Sequence, residues 1–406
     1  MADVNNLLTR QLKVKNLCTM SIVIEEFGLE NKKKLQKFAE FPWKLYKNEP
    51  LYVPQLKGEL MGNKLLGIKG LLTPGHPYHK NGKVTHWLAY KNDKIAGRMS
   101  GAINETFNKF HNESIANFGF FECENDHEVA KALFHEAEKW ARAHKMKTLR
   151  GPGFYSNATH EPYQGLLLNG YDDPPCLEMA YHPPYYIDLV EKNGFKKAKD
   201  YYAVLIDARQ DYTEQNDRVV KIIQKRTKAV TRQLDMKNLK RDVATIVKIY
   251  NEAWKNNWGF LPLTDDDGDA MAEVLALVAV PDLIRFAQVN GSDCAVVGFL
   301  PDLNEKLSLK KSLLGNGDII RILRMVLGRK SIERYRFFFL GVTQEHQHTG
   351  LDFLLTHEIK QRLLMTRAKS IEASLLLEEN HAVINLAVKR GGGKIYKTYR
   401  IYDKYL

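Results

Sequence analysis

Two apolar rhythms alternate along this chain. Residues 21–27 (Ser-Ile-Val-Ile-Glu-Glu-Phe) read as a strand, whereas Leu35, Phe38, Ala39 and Leu45 recur at helical spacing and predict an amphipathic helix over 31–47. A stretch rich in Gly and Pro follows, up to Pro77, and predicts loops. Strands over 85–91 and 94–103 flank the turn residues Asn92 and Asp93, and a Phe-rich strand covers 115–123. Asp126 is placed to cap a helix over 126–144, whose apolar face is Val129, Leu133, Ala137 and Trp140. A strand starting at Thr148 runs into a polar loop at 151–161. A helix ending near Gly194 and a strand over 197–207 close the first half.

The second half opens with a basic segment, 217–241, that reads as helical. A clearer helix over 240–255 is marked by Val243, Ile246, Val247 and Tyr250, and another is expected over 271–280. Strands 284–289 and 294–300 meet at Asn290 and Gly291, a strong hairpin signal. A helix over 319–330 leads to 337–342, a continuous apolar run of the kind buried on both faces of a sheet. Helix 349–369, strand 371–377, helix 380–390, a Gly turn and strand 394–404 complete the chain. The halves repeat one order of elements, and Val190, Gly194 and Tyr201 correspond at constant offset to Val388, Gly392 and Tyr399. This pattern points to tandem duplication of one α/β unit with a mixed sheet. The expected division is an N-terminal extension (1–19), a first unit (20–211) and a second (212–406), with Met20 as an alternative start.

A chain of 406 residues is too long for one ordinary core, in agreement with two units. Its 44% apolar and 27% charged content excludes a disordered chain. The net charge of +12 suits an anionic ligand, whether a phosphorylated cofactor, a nucleic acid or a membrane surface, without choosing among them. Cys18, Cys123, Cys176 and Cys294 are widely spaced and form no CxxC pair. That speaks against zinc or a disulfide framework and fits a reducing cytoplasm. No apolar run approaches the ~20 residues needed to span a bilayer, so no membrane span is expected. The polar 1–19 segment lacks the apolar core of a signal peptide.

The apolar run ending at Gly341 and Val342 hands on to a loop, Gln347-His348-Thr349-Gly350, and then to a helix start. Backbone N–H groups at such a start make an anion site, and Gly350 lets the backbone come close to a pyrophosphate. The order of elements and this strand-loop-helix resemble the GNAT superfamily of N-acetyltransferases, whose acyl-CoA signature is Gln/Arg-x-x-Gly-x-Gly/Ala. Here it reads Gln347 to Asp352, and Asp352 departs from the pattern. Asn380 opens the next helix as the family's Asn does, and Gly391-Gly392 stands where the family has Gly-Phe. Tyr396 to Tyr402 matches the ending of uncharacterised bacterial proteins with two such units. The resemblance implies an acyl-CoA-dependent N-acyltransferase, most simply an N-acetyltransferase, using acetyl-CoA or another acyl-CoA and direct attack by an amine. It implies cofactor contacts at Gly341, Val342, Gln347, His348, Thr349, Gly350 and Asn380. Asn380 serves equally as a helix cap.

Glu378 and Glu379, at a strand end, are candidates for the general base. The family's general-acid tyrosine falls at Val190 and Val388, which leaves Tyr399 as a nearby candidate. In the first unit the phosphate-loop position, Glu122-Cys-Glu-Asn-Asp126, is acidic and has no Gly, so only the second unit is expected to bind CoA. The polar loop carrying Ser156, Asn157, His160 and Glu161 is the candidate acceptor pocket for a small-molecule or peptide amine. Asp265, Asp266 and Asp267 begin an incomplete calcium-loop pattern, and His346 and His348 lack further ligands, so no metal is expected. The segment 218–241 holds nine Lys or Arg without interleaved aromatics. It reads as a solvated face or a contact for adenosine phosphates, and no nucleic acid is expected. The alternative to an enzyme is a GNAT-fold protein that binds or senses without catalysis.

Overall fold

The computed structural model describes residues 22–63, 69–80, 82–153, 155, 161–210, 214–308 and 317–406. Within them thirteen strands form one mixed sheet. The first half supplies β1 (Ile22–Phe27), β2 (Gly82–Lys91), β3 (Lys94–Asn104), β4 (Ile115–Cys123), β5 (Thr148–Gly153), β6 (Leu166–Leu167) and β7 (Lys196–Asp207). The second half supplies β8 (Val230–Gln233), β9 (Ile284–Val289), β10 (Ser292–Pro301), β11 (Arg334–Val342), β12 (Ser370–Leu377) and β13 (Lys394–Tyr405). Across the sheet the order is β1-β2-β3-β4-β5-β13-β7-β12-β11-β10-β9-β8, with β6 paired to β13. Only β4/β5 and β11/β12 are parallel. The helices used below are α1 (Lys32–Leu45), α2 (His127–Ala143), α3 (Tyr185–Glu191), α4 (Glu214–Thr227), α5 (Leu239–Ala253), α6 (Asp265–Val278), α7 (Asp318–Gly328), α8 (Leu351–Leu363) and α9 (His381–Asn385).

Local chemistry accounts for much of this. Both expected hairpins turn through left-handed pairs, Asn92 and Asp93 at φ 52° and 62° and Asn290 and Gly291 at φ 52° and 79°. A two-residue type I′ turn requires that conformation, and Asn, Asp and Gly tolerate it. The Asp265 to Asp267 run is the first turn of α6, where Thr264 and Asp267 form a reciprocal capping box and the helix dipole favours negative charge. The basic segment 217–241 is not one helix. α4 ends at Thr227, Lys228 turns at φ 53°, and Val230–Gln233 becomes an edge strand. Charged side chains suit an edge that pairs on one side only. Arg232 is held there by Asp242 and Asp293, each at 2.8 Å.

The two halves exchange their closing strands. β7 and β13 start at Lys196 and Lys394 and end at Asp207 and Tyr405, an offset of 198 at both ends. They pair with each other, and Tyr201 lies directly opposite Tyr399, so an approximate twofold axis passes between these tyrosines. β13 then pairs with β5 of the first half and β7 with β12 of the second. Cations of the second half also grip a loop of the first. Lys397 donates to the carbonyls of Asp173 and Pro174 at 3.0 and 2.9 Å, and Arg336 donates to the Leu177 carbonyl at 2.8 Å. On the outer layers α2 buries Val129, Leu133, Phe134 and Ala137, and α8 buries Leu351, Leu354, Leu355 and Ile359. Each buried Leu or Phe contributes about 1.5–3 kcal/mol.

Candidate active site

β11 and β12 pair from Arg334↔Ser370 to Phe337↔Ala373 and then part. β11 runs on through Gly341 and Val342, packed so closely on α5 that a Cβ at Gly341 would lie 2.8 Å from Ile249 Cγ2. A short turn follows, in which the Thr349 hydroxyl donates to the His346 carbonyl at 2.5 Å and His348 sits at φ 61°. Gly350, at φ 91°, opens α8, and no side chain caps it. The ladder of α8 starts with the Leu354 amide donating to the Gly350 carbonyl at 3.0 Å, so the three preceding amides have no partner within the helix. Arg226 of α4 reaches the same loop and donates to the Thr349 carbonyl at 2.5 Å. The loop thus presents free donors, the positive end of a helix dipole and a guanidinium to an anion.

Between α8 and the turn after α9 lies a cleft. Phe299, Phe337 and Ile371 form its floor, and Phe353, Lys360 and Arg390 stand on its walls. Burial pulls the pKa of Lys360 below that of a free lysine, and the Arg390 guanidinium lies 5.4 Å from the centre of the Phe353 ring. An apolar floor with cations on the walls suits a molecule with an apolar arm and an anionic end. Asn380 takes the cap role, accepting from the Val383 amide at 3.3 Å.

The first half repeats the strand-loop-helix and closes it. β4 and β5 stay paired as far as Gly119↔Gly153. Asp126 caps α2, accepting from the amides of Glu128 and Val129 at 3.0 and 3.4 Å, and pairs with Lys91. Burial would raise the Asp126 pKa, but Lys91 and the two amides hold it below the usual carboxylate range. The Cys123 amide donates to the Tyr186 hydroxyl, and its carbonyl accepts from the Tyr185 hydroxyl, both at 2.8 Å. A carboxylate of the protein therefore occupies this helix start, and tyrosines of α3 occupy the strand-end backbone.

A second cleft opens at the ends of β4 and β5 and is lined by polar and apolar groups alike. Tyr52, Gln55, Arg98, Glu122, Tyr163 and His182 line it. Arg98 is buried, lies 4.6 and 5.4 Å from the ring centres of Phe38 and Phe120, and donates to Glu122 at 2.5 Å. Burial drives the His182 imidazole down to about 3, so it stays neutral. Gln55 donates to Glu59 at 3.4 Å. Glu59 is half-buried. That burial, reinforced by the Glu178 carboxylate, pushes its pKa up to about 7. Glu178 is paired with Arg336 at 3.0 Å, whereas Glu59 has no ion-pair partner among the described residues. Phe337 lines the apolar cleft, and its neighbour Arg336 meets Glu178 on the opposite face of β11.

The candidates from sequence fall as follows. The loop residues Gln347, His348, Thr349 and Gly350 come together at the uncapped start of α8. Glu378 is bound by Lys197 at 2.6 Å and by the Asp200 amide at 3.2 Å, and Glu379 by Lys199 at 2.9 Å. Tyr399 is fully buried on the twofold axis, and burial pushes its pKa well up. Glu161 is half-buried, and Ser156, Asn157 and His160 lie outside the described residues. Sequence reasoning missed Glu59 and Glu178. Glu59 lies in the aperiodic Gly- and Pro-rich stretch, and only the folded chain surrounds it.

No protein-family model matches the chain. Over 386 residues it is 31% identical to the bacterial ceramide synthase of Caulobacter vibrioides, covering 92% of this chain and 95% of that protein. Over 401 residues it is 27% identical to protein YghO of Escherichia coli K12, covering 97% and 98%. Among solved structures it is similar to a tandem GNAT protein from the clavulanic acid biosynthesis pathway, at TM-score 0.52 and 11% identity, covering 95% of this chain and 98% of that one. A glucosamine N-acetyltransferase region of a fungal multidomain β-N-acetylglucosaminidase superposes at TM-score 0.52 and 10% identity, covering 95% of this chain and 38% of that one. The shared architecture is the tandem GNAT fold.

Proposed function

Because the chain belongs to the family of the Caulobacter vibrioides bacterial ceramide synthase, we propose that it is an acyl-CoA-dependent N-acyltransferase that joins a long acyl chain to the amine of a long-chain amino alcohol. A ceramide is such an amide. The observation that carries the reading is the contrast between the two helix starts, with α8 uncapped behind Gly350 and α2 capped by Asp126. The amides ahead of Leu354, together with Arg226, would hold the pyrophosphate, and the apolar cleft the pantetheine arm. The acyl-CoA substrate supplies a thioester open to attack by nitrogen. The amine sits in the cleft at the ends of β4 and β5, and Glu59, which is bonded to the cleft residue Gln55 and has no ion-pair partner among the described residues, takes the ammonium proton. Nitrogen then bonds to the carbonyl carbon as the carbon–sulfur bond breaks, and the thiolate leaves as CoA thiol with the proton that the acylated nitrogen sheds.

The test combines thermal shift with acyl-CoAs of increasing chain length and mass spectrometry of the product from a saturated 2-amino-1,3-diol. The expected result is stabilisation and amide formation, favouring long chains, with both lost in Gly350→Glu. Absence of stabilisation by every acyl-CoA overturns the reading. Val388 at the family's tyrosine position favours a second reading, a binder without turnover, which stabilisation without release of CoA thiol would support.

A further inference from the structure

α7 packs Met325 against the core but exposes most of its other apolar side chains. Its fully buried residue is Arg321. The Arg321 Nε donates to the Leu307 carbonyl at 2.8 Å, its other nitrogens donate to the carbonyls of Pro54 and Gln55, and its guanidinium lies 5.1 Å from the centre of the Trp43 ring. The opposite face carries Ile319, Leu323, Val326 and Leu327, which are 76%, 53%, 60% and 83% exposed. Their spacing of i, i+4, i+7 and i+8 makes one stripe, and helices of globular proteins turn such a stripe inward. On α6, Val274 and Leu277 are each 52% exposed as well. Arg329, just beyond α7, donates to the carbonyls of Val278 and Ala279 at 2.5 and 2.6 Å and ties the two helix ends together.

We propose that this face docks on an anionic lipid bilayer, with α7 lying in the headgroup plane. Exposed Lys330 continues the stripe, as in helices that lie at a charged membrane surface. Asp318, the acid of α7, is turned to the protein side, where the Gly58 amide donates to it at 3.2 Å. Charge separates the bilayer from a second copy of the chain as occupant. A copy would bring another net charge of +12 and the same lysine against this face, whereas anionic lipid brings the opposite sign. Arg321 also joins α7 to the carbonyl of Gln55, which lines the cleft at the ends of β4 and β5. Docking stands on the exposed stripe and its charge, independently of acyl transfer, and its test reads binding without turnover.

The full chain is floated with vesicles of phosphatidylcholine alone and of equal parts phosphatidylcholine and phosphatidylglycerol. Wild type is expected to float with the mixed vesicles, to bind phosphatidylcholine weakly, and to be released as salt rises. The double substitution Leu323→Glu and Leu327→Glu, at exposed positions, is expected to leave the thermal midpoint unchanged and to cut the vesicle-bound fraction by about tenfold or more. Lys330→Glu is expected to weaken the preference for anionic vesicles while leaving the fold intact. Failure of wild type to bind anionic vesicles, or equal binding by the double variant, overturns the proposal. A dimer in light scattering that the double variant dissolves also overturns it, because a second copy is then the occupant.

Discussion

Replacing Glu59 by Gln isolates a carboxyl that is bonded to the cleft residue Gln55 and has no ion-pair partner among the described residues. The variant keeps an acceptor for Gln55 and removes the titration. In the fold the Glu59 pKa is raised from 4.5 to about 7. Between those values the folded chain holds a proton that the unfolded chain has released. The stability it contributes is therefore present in full below 4.5 and is lost as pH rises toward about 7. A difference of this size corresponds to on the order of 3 kcal/mol, and partial opening to cleft water reduces it to about 2 kcal/mol. Urea unfolding of both proteins at about pH 5 and about pH 8 measures it, with the variant gaining about 2 kcal/mol on wild type at the higher pH. A gap that stays constant within about 0.5 kcal/mol across this range refutes the buried, unpaired state of Glu59. If Glu59 also takes the amine proton, kcat/KM rises with pH through a limb near 7, and Glu59→Gln abolishes the limb and lowers kcat by about 10²–10⁴-fold.

Arg336→Met leaves half-buried Glu178 without its cation and removes the bonds to the Leu177 and Ser374 carbonyls; it is expected to destabilise the protein by about 3 kcal/mol in urea, part of it recovered when Glu178→Gln is added. Asp126→Ala is expected to cost about 1 kcal/mol through loss of the α2 cap. It should not create a second acyl-CoA site in calorimetry, because Tyr185 and Tyr186 still hold the Cys123 backbone. A fragment ending at residue 211 lacks β13 and leaves β7 without either neighbour, so it is expected to show no cooperative unfolding transition unless coexpressed with 212–406.

What the sequence made legible was whatever depends on near neighbours. Asn290 and Gly291 declared their hairpin, Asp126 its cap, and the run from Phe337 to Val342 its buried strand. β8 stayed hidden because Arg232 and Lys228 put helix-like charge on a short edge strand, and only pairing with β9 gives Val230 and Thr231 their strand geometry. The correspondence of Tyr201 with Tyr399 was visible as an offset, but their face-to-face pairing was not. Two strands of one pattern can each close either half, and no local signal says which. Glu378 and Glu379 looked like free acids at a strand end because Lys197 and Lys199 lie some 180 positions away. The state of Glu59 is likewise a tertiary property, set by enclosure and by Glu178.

The exchange of β7 and β13 also has a consequence for synthesis on the ribosome. The bond between Arg150 and Asp403 joins residues 253 positions apart, and β5 has its neighbour on that side only once residues 394–405 exist. Throughout translation of the second half, the nascent first half exposes an unpaired strand edge, the kind of surface that recruits other chains. Synthesis delivers β7 early, with both its partners still to come. The rate of native assembly should therefore follow completion of the whole chain rather than of either half, and a chaperone that shields β5 would act in that interval.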